Sequence, residues 1–530
     1  MAKYKVLVMD GVSEQGLQPL LTEPDIEVVM GVKMTEDELI GVIGDYDGLI
    51  VRSATKVTPR VLEQAPKLKV VGRAGVGVDN IDLNAATQHG VLVVNAPDGN
   101  TIAATEHTIA MMLALARNIP QAVGKMKSGV WDKKSFLGVE LRNKVLGVIG
   151  LGRIGSAVAR RAQALEMDIV AYDPYITESK AAQLGIKLDS LEGLLKQADF
   201  ITIHMPKTKE TYHLLNEQAF ALMKDGVRVL NCARGGIIDE EALYHAMVNG
   251  KVAGAALDVF ETEPCIGGPL LALDNFIATP HLGASTAEAQ LNVAYDAAEE
   301  IVDALLGRAV RNTVNIPFIN PELMVKVKPY LKLAEKLGQF LSQVAEGRTS
   351  RLEIAYNGDI AGGGDVTPIT TALVKGYLDP VLQSSVNYIN ATMLAKNRGI
   401  NVAQTVNGQA SGYASLITVK VVTDQGEKTV AGTLFRDDDL RIVAIDGYRI
   451  DLHPEGNMLY VPHMDRPRII GPVGMLFGEC NINIAGMQVG RKVIGGQALM
   501  MITVDAPVPE DTLKQIAEID GVLGVKFVSL

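Results

Sequence analysis

The chain has 530 residues, 48% of them hydrophobic and 21% charged, and carries a formal net charge of -11. That length exceeds what one hydrophobic core holds, so several folded domains are expected, and the composition excludes wholesale disorder. The acidic balance argues against nucleic acid as a general partner, because a phosphate backbone needs a basic surface; an anionic small molecule must be met by a local group of Arg and Lys.

The amino-terminal residues run directly into a strand-like segment with no long apolar stretch, which predicts neither secretion nor a membrane span. Short apolar runs at Val6–Met9, Ile26–Met30, Leu49–Val51, Lys69–Val71 and Val91–Asn95, with helical spacers between them, predict a small α/β lobe with a parallel sheet. Asn100 is placed to cap a long apolar helix ending near Arg117. A second series follows, with strands predicted at Val145–Ile149, Ile169–Tyr172, Phe200–Ile203, Val227–Leu230, Ala255–Val259 and Phe276–Thr279, the pattern of a doubly wound sheet.

After Thr286 an Ala-rich helical run leads to Arg308, and Asn315-Ile316-Pro317 reads as a linker. From Phe318 to Leu452 a helical start, a Gly362-Gly363-Gly364 break and several alternating strands predict an α+β domain. The last stretch reads βαββαβ, with strands at Met458–Val461, Ile484–Val489, Ala498–Val504 and Val522–Val528. Cys232, Cys265 and Cys480 lie far apart, without the paired spacing of metal or disulfide frameworks, so reduced thiols in a cytoplasm and no metal site are expected.

Two constellations carry chemistry. Gly150-Leu151-Gly152-Arg153-Ile154-Gly155 follows a strand and opens a helix, the arrangement in which glycines admit a pyrophosphate to a helix N-terminus. Asp173 ends the next strand, where a carboxylate accepts from the adenosine ribose hydroxyls, and no cation stands beside it for a 2'-phosphate; NAD is therefore expected rather than NADP. Arg234, Glu263 and His281 each follow a strand of the second series, so they reach one rim of the sheet. There His281 is suited to take a hydroxyl proton, Glu263 to hold its ring, and Arg234 to fork a carboxylate.

The runs VLGVIGLGRIGSAVARRA, ADFITIHMPKTKET, VLNCARGGIIDEEAL and TPHLGAST resemble the signatures of the D-isomer-specific 2-hydroxyacid dehydrogenase family, in order and at family-like spacing. The resemblance implies that Arg234, Glu263 and His281 form the catalytic set. Arg153 and Ile154 would meet the pyrophosphate, while Cys232, Asp258 and Gly283 would line the nicotinamide side, with Asp258 orienting the carboxamide. VRSATKVT, GRAGVGVDNID and NAPDGNTIAATEHTIAMMLALARNIP resemble the substrate lobe and hinge of members that oxidise 3-phosphoglycerate to 3-phosphohydroxypyruvate in L-serine biosynthesis. They imply Arg52, Ser53, Arg73 and Asn100 as substrate contacts. Trp131-Asp132-Lys133-Lys134 is similar to a stretch that reaches a neighbouring subunit, and a homo-oligomer, dimer or tetramer, is implied.

The βαββαβ tail resembles an ACT domain, a module that pairs with another copy and binds an amino acid. It implies L-serine as an effector near His463, Asp465 and Asn483, although Arg468 stands where glycine is usual. The expected division is 1–97 with 286–316 as a discontinuous substrate lobe, 98–285 as a Rossmann NAD lobe, 317–452 as an intervening α+β domain and 453–530 as the ACT domain. A reductase for glyoxylate, hydroxypyruvate or another 2-keto acid, and an NAD-sensing scaffold or corepressor, remain open alternatives.

Overall fold

The computed structural model describes residues 2–316, 321–362, 365–382, 386–409, 412–436 and 439–530. Pro317, Phe318, Gly363 and Gly364, part of the expected linker, domain start and glycine break, lie outside the described residues. Among the described residues no helix is long and apolar enough to cross a membrane.

Four sheets organise the chain. The first has strands β1 (Tyr4–Val8), β2 (Ile26–Met30), β3 (Gly48–Val51), β4 (Val70–Arg73) and β5 (Leu92–Asn95), all parallel, in the order β2-β1-β3-β4-β5. The helix Ala287–Leu305 returns to it: Val293, Ala294, Ala297 and Ile301 pack against Val6, Val8, Ile50 and Val70. That helix starts where expected because Thr286 accepts from the Ala289 amide, satisfying an otherwise orphaned donor.

The second sheet contains β6 (Val145–Ile149), β7 (Asp168–Tyr172), β8 (Lys187–Leu188), β9 (Phe200–Ile203), β10 (Val227–Asn231), β11 (Val252–Leu257) and β12 (Phe276–Ala278), ordered β12-β11-β10-β9-β6-β7-β8. The short β8 was not among the predicted strands, having too few apolar residues to register. Strand β11 lies a few residues earlier than predicted, so Asp258 stands just past its end rather than inside it. The order reverses at β6, whose neighbours are β7 and β9, and a crevice opens at such a switch point beyond the carboxyl ends of the strands.

The helix Thr101–Arg117 joins these two sheets. It ends at Asn118, which takes φ +53 and donates its amide to the Ala114 carbonyl, a left-handed stop that Asn tolerates. Its start differs from expectation: Asn100 makes no side-chain cap bond, and its Oδ1 is buried without a partner among the described residues.

The third sheet has six strands between Thr349–Gly358 and Tyr448–Leu452, covered by the helices Pro321–Val344 and Thr367–Leu378. The fourth is antiparallel, ordered Ile484–Arg491, Gln497–Val504, Asn457–Met464, Lys526–Ser529. Alternation along its strands divides it into two faces. Leu459, Val461, Met500 and Ile502 meet Val473 and Phe477 of its own first helix and Ile516 of its second. Met458, Tyr460, Leu499, Met501 and Val528 instead join Leu333, Phe340, Ile354 and Tyr356 in one continuous core with the third sheet.

Candidate active site

The glycine-rich turn is shaped for a ligand. Gly150 takes φ +96, and a Cβ there would lie 2.6 Å from the His204 carbonyl oxygen. At Gly155 a Cβ would lie 1.9 Å from the Gly150 carbonyl oxygen, so only glycine lets the helix Arg153–Ala164 start against the turn. A Cβ on Gly152 would meet nothing within 4 Å, leaving open space over the first amides of that helix. Asp173 accepts from the Leu151 amide on Oδ2 and from the Tyr175 amide on Oδ1, both at 2.8 Å. Each of its oxygens retains a lone pair for a diol. These residues fit a dinucleotide.

A cleft of about 550 Å³ runs between the two parallel sheets, lined by Gly152, Ile154, Asn100, Cys232, Arg234, Asp258, His281 and Gly283 among others. Across its mouth the Arg153 Nε pairs with Asp98 at 2.6 Å. On its floor burial pushes the His204 imidazole down to about 4, and Nε2 lies 3.0 Å from the Thr202 hydroxyl, so this histidine is neutral at ordinary pH. Burial, and then the nearby Asp258 carboxylate, push the Cys232 thiol up to about 12; it is a neutral wall, not a nucleophile.

The three rim residues converge. His281 Nδ1 lies 2.9 Å from Glu263 Oε2, and Glu263 Oε1 accepts from the Phe260 amide at 3.1 Å. A carboxylate on Nδ1 holds the proton there and leaves Nε2 with its lone pair. His281 has φ +58, uncommon for a side chain other than glycine or asparagine. Such a conformation costs roughly 1–3 kcal/mol and persists only where its surroundings impose it. Those surroundings are Asp258: its carbonyl accepts from the His281 amide at 2.9 Å, and its carboxylate accepts from Leu282 at 2.7 Å and Gly283 at 2.8 Å. Burial alone would raise the Asp258 carboxyl, but bonds from His107, Thr279 and Leu282 hold it below its ordinary value.

Arg234 crosses to the other lobe, where its Nε lies 3.3 Å from Asp79 Oδ2, rather than pairing with its near neighbours Asp239 or Glu240. A Cβ on Gly77 would lie 2.2 Å from Arg234 Nη2, and one on Gly75 only 1.5 Å from Arg73 Nη1, so a glycine strip admits both guanidiniums. Burial first, then the charges of Arg234 and Arg52, push Arg73 down to about 10, and its Nε is buried with no partner. Ser53 lies apart from the cofactor cleft, on an adjoining chamber of about 660 Å³ that His281 and Glu263 also line.

Two features escaped the sequence reading. Glu240 and Glu261 exchange bonds, the Glu240 amide to Glu261 Oε1 at 3.1 Å and the Glu261 amide to Glu240 Oε1 at 2.6 Å, tying the loop before Glu263 to the helix Glu240–Val248. His107 and His204 also enter the site. A histidine on an apolar helix face or at a strand end carries no local signal of what it will touch.

In the fourth sheet the residues expected near the effector lie on separate elements. His463 lies within the strand Asn457–Met464, past the Val461 where that strand was expected to end; it is 2% exposed and bonds the Met464 carbonyl at 2.8 Å, which corrects its expected place beside an effector. The alternation that buries Val461 also turns His463 inward. Asp465 accepts from the Gly495 amide at 3.1 Å, and Asn483 donates to Asp505 at 2.7 Å. Arg468 takes φ +67, so the loop keeps the glycine-like backbone that its side chain disfavours. Trp131 is 83% exposed.

Residues 109–283 match the family described as D-isomer specific 2-hydroxyacid dehydrogenase, NAD binding domain, and residues 326–446 match the D-3-phosphoglycerate dehydrogenase intervening domain. The chain is 46% identical to a D-3-phosphoglycerate dehydrogenase of Synechocystis, covering 99% of this chain and 95% of that one. It is also 46% identical to one from Bacillus subtilis, covering 99% and 100%. A solved glyoxylate reductase from Paecilomyes thermophila aligns with TM-score 0.55 at 28% identity, over 59% of this chain and 99% of that chain. The chain belongs to the D-isomer specific 2-hydroxyacid dehydrogenase family, among its D-3-phosphoglycerate dehydrogenases.

Proposed function

We propose that this chain oxidises D-3-phosphoglycerate to 3-phosphohydroxypyruvate with NAD, the step that opens L-serine biosynthesis. The observation that carries the substrate is the crowding of Arg52, Arg73 and Arg234, close enough that the first and last depress Arg73. A substrate bearing both phosphate and carboxylate relieves that repulsion. Arg234 forks the carboxylate, Arg52, Arg73 and Ser53 hold the phosphate end, and Asn100 meets the substrate from the cleft wall. His281 Nε2 takes the proton of the C2 hydroxyl, and Glu263 stabilises the imidazolium that forms. NAD, when bound, supplies the hydride acceptor. The amides of Gly152, Arg153 and Ile154 face its pyrophosphate, Gly150 and Gly155 shape the turn, and Asp173 receives the ribose. Cys232 and Gly283 bound the nicotinamide side, where the spare lone pair of Asp258 Oδ2 orients the carboxamide.

The test is NADH formation from 3-phosphoglycerate against unphosphorylated glycerate. A phosphate-selective cleft turns over the first and rejects the second; equal turnover, or preference for glyoxylate reduction, sinks the reading. We further assign 1–97 with 286–316 to the substrate lobe, 98–285 to the NAD lobe, 317–452 to the intervening domain and 453–530 to an ACT module. In that module L-serine would bind near Asp465 and Asn483. A cytoplasmic homo-oligomer, dimer or tetramer, completes the proposal.

A further inference from the structure

His107 stands in the second turn of the helix Thr101–Arg117, and its Nε2 lies 3.2 Å from both Asp258 Oδ1 and Thr279 Oγ1. The Thr279 hydroxyl gives its own proton to Asp258 Oδ1 at 2.6 Å, so its oxygen can only accept from the histidine. Both neighbours of Nε2 are therefore acceptors, which fixes a proton on that nitrogen. The same Oδ1 receives the Leu282 amide, and Oδ2 receives the Gly283 amide. A continuous line of hydrogen bonds thus leads from the helix joining the two lobes, through a carboxylate whose side chain is 1% exposed, to the two residues after His281.

We propose that His107 is a positioning residue for proton transfer: by donating to Asp258 it fixes the backbone that aims His281 Nε2 into the cleft. This rests on the acid–base reading of His281. His107 is not among the residues that line the cleft; it lies on the Oδ1 side of Asp258, away from the Oδ2 side that faces Gly283. Without its donor, Asp258 is a buried carboxylate with fewer partners, and the loop has reason to rearrange.

The test compares His107→Leu, His107→Gln and His107→Asn in the full chain. Glutamine carries its N–H about as far out as Nε2, while asparagine falls one methylene short. Misaiming a reacting group by an ångström lowers rates by about 100-fold. We expect kcat to fall by about that much in the Leu and Asn variants, with the KM for 3-phosphoglycerate and the NADH Kd within about threefold of the parent. The Gln variant should return to within about fivefold of parental kcat. Parental kcat in His107→Asn, a Gln variant as slow as the Asn variant, or a rise in KM in place of a fall in kcat overturns the proposal. If His107→Leu does not fold, the Gln and Asn pair still decides it. His281→Asn, assayed alongside, tests the acid–base reading separately: should it keep turnover, that reading fails whatever the His107 variants do.

Discussion

Two of the junctions between sheets among the described residues are built in opposite ways. The two parallel sheets keep separate hydrophobic cores and face each other across a cleft. The pairs Arg234–Asp79 and Arg153–Asp98 cross that gap, and both aspartates are mostly exposed, at 72% and 66%. The third and fourth sheets share one core through Tyr460, Leu499 and Met501, with a cavity of about 390 Å³ left at its edge, between residues 426–428 and 523–526. Their rim is bonded as well: Lys428 reaches Asp446 at 3.1 Å and the Tyr460 hydroxyl at 2.7 Å, and Gln343 exchanges two bonds with the Ser529 backbone. The first joint is polar and open to a cleft; the second is apolar at its centre, a dry joint. The side chains at each joint differ accordingly, although the overall composition gives no hint of it.

The contrast can be broken at its strongest point first. His281→Asn keeps a residue that tolerates the left-handed backbone but removes the base, and kcat should fall by at least about 100-fold while the NADH Kd barely changes. Steady-state rates with a fluorescence titration would show it, and wild-type turnover would remove His281 from the chemistry. At the dry joint, Met501→Ala should cost about 2–5 kcal/mol and lower the unfolding temperature of the third and fourth sheets together. Hydrogen exchange that reports loss in the fourth sheet alone would refute a shared core.

Acid should act on the cleft side. The folded pKa of His204, about 4, lies below that of an unfolded histidine, so between those values the unfolded chain binds the extra proton. Stability from this group is complete above about pH 6.5 and declines as pH falls toward 4, by on the order of 3 kcal/mol in all. Thermal unfolding at pH 7 and 5 should show a larger acid loss for the parent than for His204→Asn; equal losses would acquit His204. The smallest effect is expected at Asp79→Asn, which removes an exposed lobe-to-lobe pair worth less than about 1 kcal/mol. The unfolding temperature should stay put, with the KM for 3-phosphoglycerate moving less than about fivefold. A collapse in stability there would mean that the lobes are fastened after all.

Much of the catalytic half could be read in advance because parallel strands impose a rule: whatever follows a strand reaches the ligand rim. Arg234, Glu263, His281 and Asp173 obey it. Asn100 did not follow the capping rule, since its oxygen is buried without bonding a helix amide. His463 fell outside the predicted strand Met458–Val461 because the strand Asn457–Met464 runs past the last strongly apolar residue, Val461. The dry joint was invisible for a different reason. The unbroken apolar run Met458–Val461 announces that both faces of the strand are covered, yet nothing in the pattern tells which neighbour covers the second.

That second face has a consequence for how such a chain can be cut. The glyoxylate reductase that aligns over 59% of this chain is itself covered to 99%, so the catalytic half exists elsewhere as a free-standing protein. The remainder does not subdivide so cleanly. Excising only the final module would take Met458, Tyr460, Leu499, Met501 and Val528 out of the core they share with the third sheet, and grafting it onto another enzyme would bare those same side chains. The transplantable cassette is the pair of sheets, inherited or discarded as one piece.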